Sequence, residues 1–194
     1  MHIPQIPPQV KLVAVTKTQS ADRVLEAISL GITDIGENYV QEAEEKFKII
    51  GKSVKWHLIG HLQSNKVKKA VDIFDVIQSV DSIKIADLIN KECIFLNKNM
   101  PVMIEVNLGR EESKNGIELE KLGELILHIR KLSNLRLIGL MTMCKKEYFS
   151  LMHEIYLKSR TKYLSMGMSG DYIEAIKSGS NMVRIGSAIF GERK

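Results

Sequence analysis

Short segments rich in Val, Ile and Leu recur along this chain and alternate with amphipathic stretches of helical period. Such alternation is typical of a parallel sheet whose strands are joined by helices. Eight candidate strands occur: KLVAVT (11–16), TDIGE (33–37), WHLIG (56–60), DVIQSV (75–80), PVMIEVNL (101–108), RLIGLMTM (136–143), KYLSMGM (162–168) and NMVRIGS (181–187). The pattern predicts an α/β fold, namely a single compact (β/α)8 barrel of the TIM type over residues 1–194.

Helical candidates lie between these strands. One spans 20–31, with Ser20 as its N-cap and Gly31 as its stop, and another spans 39–50 and ends at Gly51. Further helices are predicted over 82–95, 118–132 and 171–179, and the second of these carries an apolar stripe: Leu119, Leu122, Leu125, Ile126 and Ile129. No helix is predicted before the first strand, and the connection after Thr142 looks short. Both explain a length of 194 residues, just below the usual lower limit of about 200.

Composition narrows the class of protein. The two cysteines, Cys93 and Cys144, lie far apart without a Cys/His cluster, which argues against a disulfide framework and a zinc site. The chain has no secretory signal pattern and no run of about 18 uncharged apolar residues. No Ser/Gly/Pro-rich linker divides it. We therefore expect one domain, no membrane association and a reducing cytoplasmic location.

A net charge of +5 is compatible with anionic partners. The densest basic run, NKVKKA (65–70), lacks interleaved aromatic residues, and a solvated helix face is its simplest explanation. Nucleic acid is thus not the expected partner. A basic nucleic-acid-binding module built on Lys66, Lys68 and Lys69 stays open as an alternative.

Lys17 ends the first candidate strand, on the same face as Val13 and Val15. An ammonium group that points into an apolar barrel is costly unless it is paired or neutral, and burial lowers its pKa toward the value that a Schiff-base nucleophile needs. The alternative is a lysine that extends to the rim and binds nothing. Position alone does not choose between the two.

The last two candidate strands end in small and polar residues. Arg184 lies in the last strand and Gly186 and Ser187 follow it, while Ser169 and Gly170 precede a helix. The loops after strands seven and eight are the usual phosphate site of a barrel, because a helix N-terminus offers free N–H groups. The competing interpretation is that Ser169 caps the helix and the glycines only shape turns.

Other polar residues follow strands two and three and could approach a ligand, or could only form turns: Asn38, Tyr39, His61, Gln63 and Asn65. His57 lies inside a strand, where a hydrogen-bonded core histidine is the expected role. The methionines of GLMTM and SMGM are expected to fill the barrel.

The segments VAVTKT, GENYVQE, WHLIGHLQSNK, GLMTM, LSMGMSGDYIEAI and SNMVRIGSAIFG follow one another at regular spacing. Together they closely resemble the YggS/PROSC family of pyridoxal phosphate homeostasis proteins, from about Val10 to Arg193. That family is similar to the N-terminal barrel domain of alanine racemase.

The resemblance implies that pyridoxal 5'-phosphate is the cofactor and that Lys17 holds it as a Schiff base. Arg184 corresponds to the arginine that faces the pyridine nitrogen, where a cation disfavours ring protonation and so restrains the ring as an electron sink. The other matched positions are Asn38, which lines the cofactor, and the phosphate-holding set Ser169, Gly186 and Ser187.

The family likeness implies a carrier that buffers pyridoxal phosphate or delivers it to apo-enzymes, with no robust catalysis. The related racemases take a second acid/base, a tyrosine, from an additional C-terminal β domain, whereas this chain stops at Lys194. A weak amino-acid racemase that uses Tyr39, Tyr163 or Tyr172 stays open as the enzyme alternative. We expect a monomer.

Two features depart from the family pattern. Members begin with an extra helix, whereas only about nine residues precede KLVAV here. The segment between Thr142 and Leu164 is also shorter than usual. Neither departure touches the matched cofactor positions.

Overall fold

The computed structural model describes residues 1–109 and 115–191, and in them parallel strands close into a barrel. The strands are β1 (Lys11–Val15), β2 (Asp34–Glu37), β3 (Lys55–Leu58), β4 (Val76–Val80), β5 (Met100–Glu105), β6 (Leu135–Met141), β7 (Tyr163–Ser165) and β8 (Met182–Ile185). Each strand pairs with its neighbours in sequence, and β8 closes the ring on β1 with Val13 opposite Arg184. The predicted (β/α)8 barrel is confirmed.

Helices follow the strands on the outside of the barrel. They are α1 (Ala21–Ser29), α2 (Val40–Ile50), α3 (Val67–Ile73), α4 (Ile83–Phe95), α5 (Leu119–Lys131), α6 (Phe149–Ser159), α7 (Tyr172–Lys177) and α8 (Ser187–Phe190). Short 3₁₀ turns, Ser64–Lys66 and Lys146–Tyr148, lead into α3 and α6. As predicted, residues 1–10 form no helix before β1.

The predicted helix boundaries have the expected chemistry. The Ser20 hydroxyl accepts a hydrogen bond from the Arg23 backbone N–H at 3.4 Å and so caps α1. Gly31 and Gly51 follow α1 and α2 with φ of 100° and 61°, a left-handed conformation that favours glycine. These glycines therefore end their helices where the sequence indicates.

Helix α6 lies in the connection for which no helix was predicted. Phe149 and Met152 are buried, and Ile155 and Tyr156 pack against the core, which gives the segment a helical face. Arg160 ends α6 in a left-handed conformation, with φ of 51°. The connection after Thr142 is therefore short but still completes the sixth β/α unit.

The core has two layers, as in other barrels of this type. A small cluster of Val13, Met103, Met141 and Met182 fills the interior, and the larger cluster packs the outer faces of the strands against the helices. Three residues of the predicted apolar stripe on α5 are buried, namely Leu122, Leu125 and Ile129. Leu119 is exposed and Ile126 is half-buried. Of the methionines in GLMTM and SMGM, Met141 fills the barrel interior as expected, whereas Met166 is buried in the larger cluster.

Candidate functional site

A cavity of about 260 Å³ opens at the carboxyl ends of β1, β2, β3 and β8, where barrel proteins carry their sites. Its wall brings together all six predicted cofactor residues: Lys17, Asn38, Ser169, Arg184, Gly186 and Ser187. The other lining residues are Val15, Gln19, Ile59, Met143, Met168, Gly170, Phe190 and Gly191. The structure therefore joins the two ends of the chain at one place, while the contact of each residue with a ligand stays a prediction.

Hydrogen bonds hold the backbone on both sides of Lys17, and those on the Thr16 side are buried. The Lys46 ammonium donates to the Thr16 carbonyl oxygen at 2.6 Å, and the Thr16 hydroxyl donates to Glu37 Oε1 at 2.6 Å. On the far side, the Thr18 backbone N–H donates to Glu42 Oε1 at 2.5 Å. Lys17 is half-buried, and its position at the cavity is fixed through its two neighbours.

Lys46, which is not among the predicted site residues, connects these contacts with one another. Lys46 also donates to Glu37 Oε1 at 2.6 Å and to Glu42 Oε1 at 2.8 Å, from a side chain that is 7% exposed. Burial raises the pKa of the Glu37 carboxyl, and the positive charge of Lys46 partly offsets that effect. The sequence signal was the spacing of Glu42 and Lys46, four residues apart on one helix.

Asn38 reaches the cavity because β3 continues into a glycine. A Cβ atom at Gly60 would collide with the backbone carbonyl of Asn38, so glycine allows the segments after β2 and β3 to approach closely. Asn38 thereby lies at the rim directly after Glu37, the last residue of β2.

The loops after β7 and β8 are tied together by one hydroxyl. The Ser169 Oγ accepts hydrogen bonds from the backbone N–H groups of Gly186, at 3.1 Å, and Ala188, at 3.4 Å. The N-cap of α7 is instead Asp171, whose carboxylate accepts from the Met168 backbone N–H at 2.6 Å. The helix-capping interpretation of Ser169 is therefore wrong, and its oxygen occupies N–H groups at the start of α8.

Arg184 presents a buried cation to the cavity. Its Nη1 donates to the Ser165 hydroxyl at 2.7 Å and its Nη2 to the Thr142 carbonyl at 2.7 Å. Burial lowers the pKa of the guanidinium to about 10, and the Glu105 carboxyl acts in the opposite direction. Arg184 thus remains positively charged at neutral pH.

Glu105 was not among the predicted site residues. It ends β5, lies 4% exposed, and its Oε2 has no hydrogen-bond partner among the described residues. Burial raises its pKa to about 7, an effect that Arg184 reduces. Glu105 lines a second recess of about 160 Å³ beside the cavity, and Met143 borders both. Nothing local marks such a residue, because its environment comes from distant strands.

We expect the free energy of unfolding to fall as the pH rises from about 5 to about 8. The Glu105 pKa is 4.5 ordinarily and about 7 in the folded chain, so the fold retains a proton that the unfolded chain releases. The stabilisation is complete below pH 4.5 and lost as the pH passes about 7, a change of about 3 kcal/mol. Glu37, with its raised pKa, adds the same sign.

Denaturant unfolding between pH 5 and pH 8 measures this effect. Glu105→Gln should flatten the profile and be more stable than the natural chain at pH 8, whereas Glu124→Gln, at an exposed position on α5, should leave it unchanged. An equally steep profile in Glu105→Gln would contradict the assignment.

The other polar candidates lie elsewhere. Tyr39 and His61 are exposed, and His61 pairs with Asp81 at 3.2 Å. None of the residues Tyr39, His61, Gln63 and Asn65 lines the cavity. His57 is buried and hydrogen-bonded on both ring nitrogens, as expected of a core histidine.

The tyrosines proposed for the racemase alternative also lie outside the cavity wall. Tyr163 begins β7 at the opposite end of the barrel and packs against the interior cluster, and Tyr172 begins α7.

Two of the methionines that were expected to fill the barrel line the cavity instead, namely Met143 and Met168.

The basic run forms the solvated helix face that the sequence predicts. Lys68 and Lys69 are exposed on α3, and Lys69 pairs with Glu44 at 2.9 Å.

Among the described residues, no group of three or more His, Cys, Asp or Glu side chains could hold a metal ion. No helix in the described part of the chain is long and apolar enough to cross a bilayer.

Comparison with known proteins gives consistent matches over nearly the whole chain. The family model of the alanine racemase N-terminal domain matches residues 3–194. The pyridoxal phosphate homeostasis protein of Haemophilus influenzae is 41% identical over 202 residues, which cover 95% of this chain and 85% of that protein. The Escherichia coli K12 protein of the same name is 39% identical over 204 residues, with 96% and 87% covered.

Solved structures agree. PipY of Synechococcus elongatus PCC7942, with PLP bound, has a TM-score of 0.90 and 31% identity, over 96% of this chain and 95% of PipY. Alanine racemase of Clostridium difficile 630 shares the fold, with a TM-score of 0.81 at 14% identity, over 97% of this chain and 53% of the racemase. The chain therefore belongs to the alanine racemase N-terminal domain family and, within it, to the pyridoxal phosphate homeostasis proteins.

Proposed function

We propose that this protein binds pyridoxal 5'-phosphate reversibly at the mouth of the barrel, with Lys17 as its covalent anchor, and acts in the homeostasis of that cofactor. One observation carries the proposal: Lys17, Arg184 and the Ser169–Gly186 contact converge on one cavity of about 260 Å³. Two further facts support it: the relatives are pyridoxal phosphate homeostasis proteins, and PipY has PLP bound.

The residues present fit this cofactor. When bound, pyridoxal phosphate supplies an aldehyde that condenses with a primary amine, a phosphate group and a pyridine nitrogen. Lys17 would supply the amine, and Arg184 would donate a hydrogen bond to the ring nitrogen. Ser169 and Ser187 would hold the phosphate with their hydroxyl groups at the start of α8, where the Gly186 N–H holds the Ser169 oxygen.

The charge of Arg184 favours holding the cofactor over using it. A guanidinium with a pKa of about 10 stays cationic and donates hydrogen bonds only. Beside it, a pyridine nitrogen remains unprotonated and withdraws electrons weakly. Arg184 would therefore restrain the reactivity of the cofactor that Lys17 retains.

The wall of the cavity supports the same proposal. Lys17 and Arg184 are its titratable side chains among the described residues. A racemase needs two groups that exchange protons on opposite faces of the substrate, and a permanently charged arginine is poorly suited to that task. We therefore place a carrier that serves apo-enzymes ahead of the racemase alternative.

The test is covalent trapping. Purified protein is incubated with pyridoxal phosphate, its visible absorbance is recorded, and the mixture is reduced with borohydride before peptide mass spectrometry. We expect stoichiometric modification of Lys17, because it is the lysine held inside the cavity.

Lys145 supplies an internal control, since it is an exposed lysine that lines the neighbouring recess. It should carry little label in the same digest. A colourless protein without modification at Lys17, or label spread evenly over surface lysines, would refute the proposed function.

A further inference from the structure

A line of buried hydrogen bonds crosses the interior of the barrel from Arg184. Arg184 Nη1 contacts the Ser165 hydroxyl at 2.7 Å, and Ser165 contacts Gln78 Oε1 at 2.7 Å. Gln78 Nε2 contacts His57 Nδ1 at 2.9 Å, and His57 Nε2 contacts Asp34 Oδ1 at 2.8 Å. Since Gln78 lies on β4 and Ser165 on β7, which are not neighbours in the sheet, their contact runs through the interior.

The far end of the line is a fixed negative charge. Asp34 begins β2 and accepts from the Lys11 ammonium at 3.0 Å and from the Thr33 hydroxyl at 2.9 Å. Although burial opposes ionisation, the hydrogen bonds from His57, Lys11 and Thr33 hold the pKa of Asp34 well below its usual range. The line therefore ends on a carboxylate.

The direction of every hydrogen bond follows from its two ends together with the orientation of the Gln78 amide. Arg184 can only donate, so the Ser165 oxygen accepts and directs its own proton to Gln78 Oε1. Gln78 Nε2 then donates to His57 Nδ1 and to Met182 Sδ, which uses both of its protons. With the amide in this orientation, His57 accepts on Nδ1 and donates its Nε2 proton to the Asp34 carboxylate.

We propose that Ser165, Gln78 and His57 are positioning residues that aim the Arg184 guanidinium into the cavity, from an anchor at the opposite end of the barrel. The inference deepens the proposed function, on which its cofactor readout rests. Within the described part of the chain, the Arg184 guanidinium has one backbone partner, the Thr142 carbonyl, and one side-chain partner, Ser165. Because Gln78 takes the serine proton, the lone pairs of the Ser165 oxygen stay directed at Arg184.

The chemistry of the interior favours this role over simple filling. Barrel interiors are usually packed with branched apolar residues, and the neighbouring cluster here is apolar. A buried polar line is weak as a source of stability, because each group must first lose its water. What these hydrogen bonds contribute instead is a single orientation for the Arg184 guanidinium.

The test compares two buried serines. Ser165→Ala interrupts the line, whereas Ser180→Ala removes a hydroxyl that is equally buried but bonded only to the Leu164, Met166 and Met182 carbonyls. Both variants lose a buried hydrogen bond, so a merely structural role predicts similar behaviour. Only Ser165→Ala should alter the group at the other end of the line.

The first readout needs no cofactor. The ¹⁵N resonances of His57, assigned by their loss in His57→Gln, report which ring nitrogen carries the proton. We expect the Nε2–H form in the natural chain and in Ser180→Ala. In Ser165→Ala we expect a mixture, because the Gln78 amide loses the donor that fixes its orientation.

The second readout is the cofactor itself. Ser165→Ala should bind pyridoxal phosphate about tenfold more weakly and shift the absorbance maximum of the loaded protein, while Ser180→Ala should do neither. If Ser165→Ala does not fold, Gln78→Met interrupts the same line one residue further along.

The proposal is overturned if Ser165→Ala leaves the His57 resonances and the absorbance unchanged, or if Ser180→Ala changes them equally. If the natural chain takes up no pyridoxal phosphate at all, the proposed function fails, but the His57 resonances still decide whether the line orients its members.

Discussion

Lys46→Met is expected to lower the free energy of unfolding by about 3–5 kcal/mol, the usual result of removing one partner from a buried ion pair. Glu37 is fully buried, its Oε1 receives the Lys46 ammonium, and its Oε2 has no hydrogen-bond partner among the described residues. Without Lys46, the Thr16 hydroxyl is the one hydrogen-bond donor to the Glu37 side chain among the described residues, and it compensates only in part for lost solvation. The loss should be larger at pH 8 than at pH 5, because Glu37, whose pKa is already raised, can take up a proton at low pH.

Denaturant unfolding of two variants on the same helix isolates the effect. Lys48→Met makes the same substitution at an exposed position of α2 and should change stability by less than about 0.5 kcal/mol. Lys46→Met combined with Glu37→Gln should recover part of the loss, since no charge is then left unpaired. If Lys46→Met proved as stable as Lys48→Met, the ion pair would not be the support described for Lys17.

The same variant links stability to the cofactor site. Lys46 holds the Thr16 carbonyl on one side of Lys17 and, through Glu42, the Thr18 N–H on the other. Even well below its unfolding temperature, Lys46→Met should therefore react more slowly with pyridoxal phosphate. This arrangement places the rigidity of the site in a neighbouring helix, while the anchor lysine itself stays at the cavity.

The strands could be predicted from the sequence because each is a short apolar run bounded by turn residues. Parallel strands with both faces covered give such runs, and the sheet order then follows from strict alternation with helices. Phe149 and Met152 have helical spacing, yet the short segment after Thr142 indicates a bare connection, so the sequence does not predict helix α6. The length of a segment predicts a helix less reliably than the spacing of its apolar residues does.

The residues at the cavity could be predicted for a different reason. A barrel gathers the carboxyl ends of all its strands, so Lys17 and Arg184 meet without any local signal that relates them. Glu37, Lys46 and Glu105 could not be found in this way. Their importance depends on burial and on partners from other elements, and an isolated Glu or Lys in a sequence usually belongs to a solvated face.

The line of hydrogen bonds from Arg184 to Asp34 could not be predicted from the sequence either. His57 was recognised as a core histidine, but Gln78 and Ser165 stand inside apolar strands with nothing to distinguish them from tolerated polar residues. Only the contact across the barrel between non-adjacent strands gives them a common role. Sequence alternation predicts which side of a strand faces inward, but not which inward residues meet.

Lys17→Ala is expected to abolish the reducible adduct with pyridoxal phosphate completely, because alanine has no amine to condense with the aldehyde. Binding itself should persist, weakened at least about tenfold, since Arg184 and the Ser169–Gly186 contact remain in place. Equilibrium dialysis measures the residual affinity, and borohydride reduction with peptide mapping measures the adduct. Recovery of a stoichiometric adduct at another lysine in Lys17→Ala would show that Lys17 is not the anchor.

Two further variants separate the charge of Lys17 from its chemistry. Lys17→Arg keeps a cation at the cavity but cannot form the adduct, so it should match Lys17→Ala in trapping while binding the phosphate more tightly. Lys145→Ala removes an exposed lysine beside the cavity and should retain the full adduct. These results are expected if Lys17 only anchors the cofactor: its amine supplies the covalent bond, while residues near the opposite end of the chain supply most of the binding. An adduct lost in Lys145→Ala would instead show that the neighbouring recess holds the reactive amine.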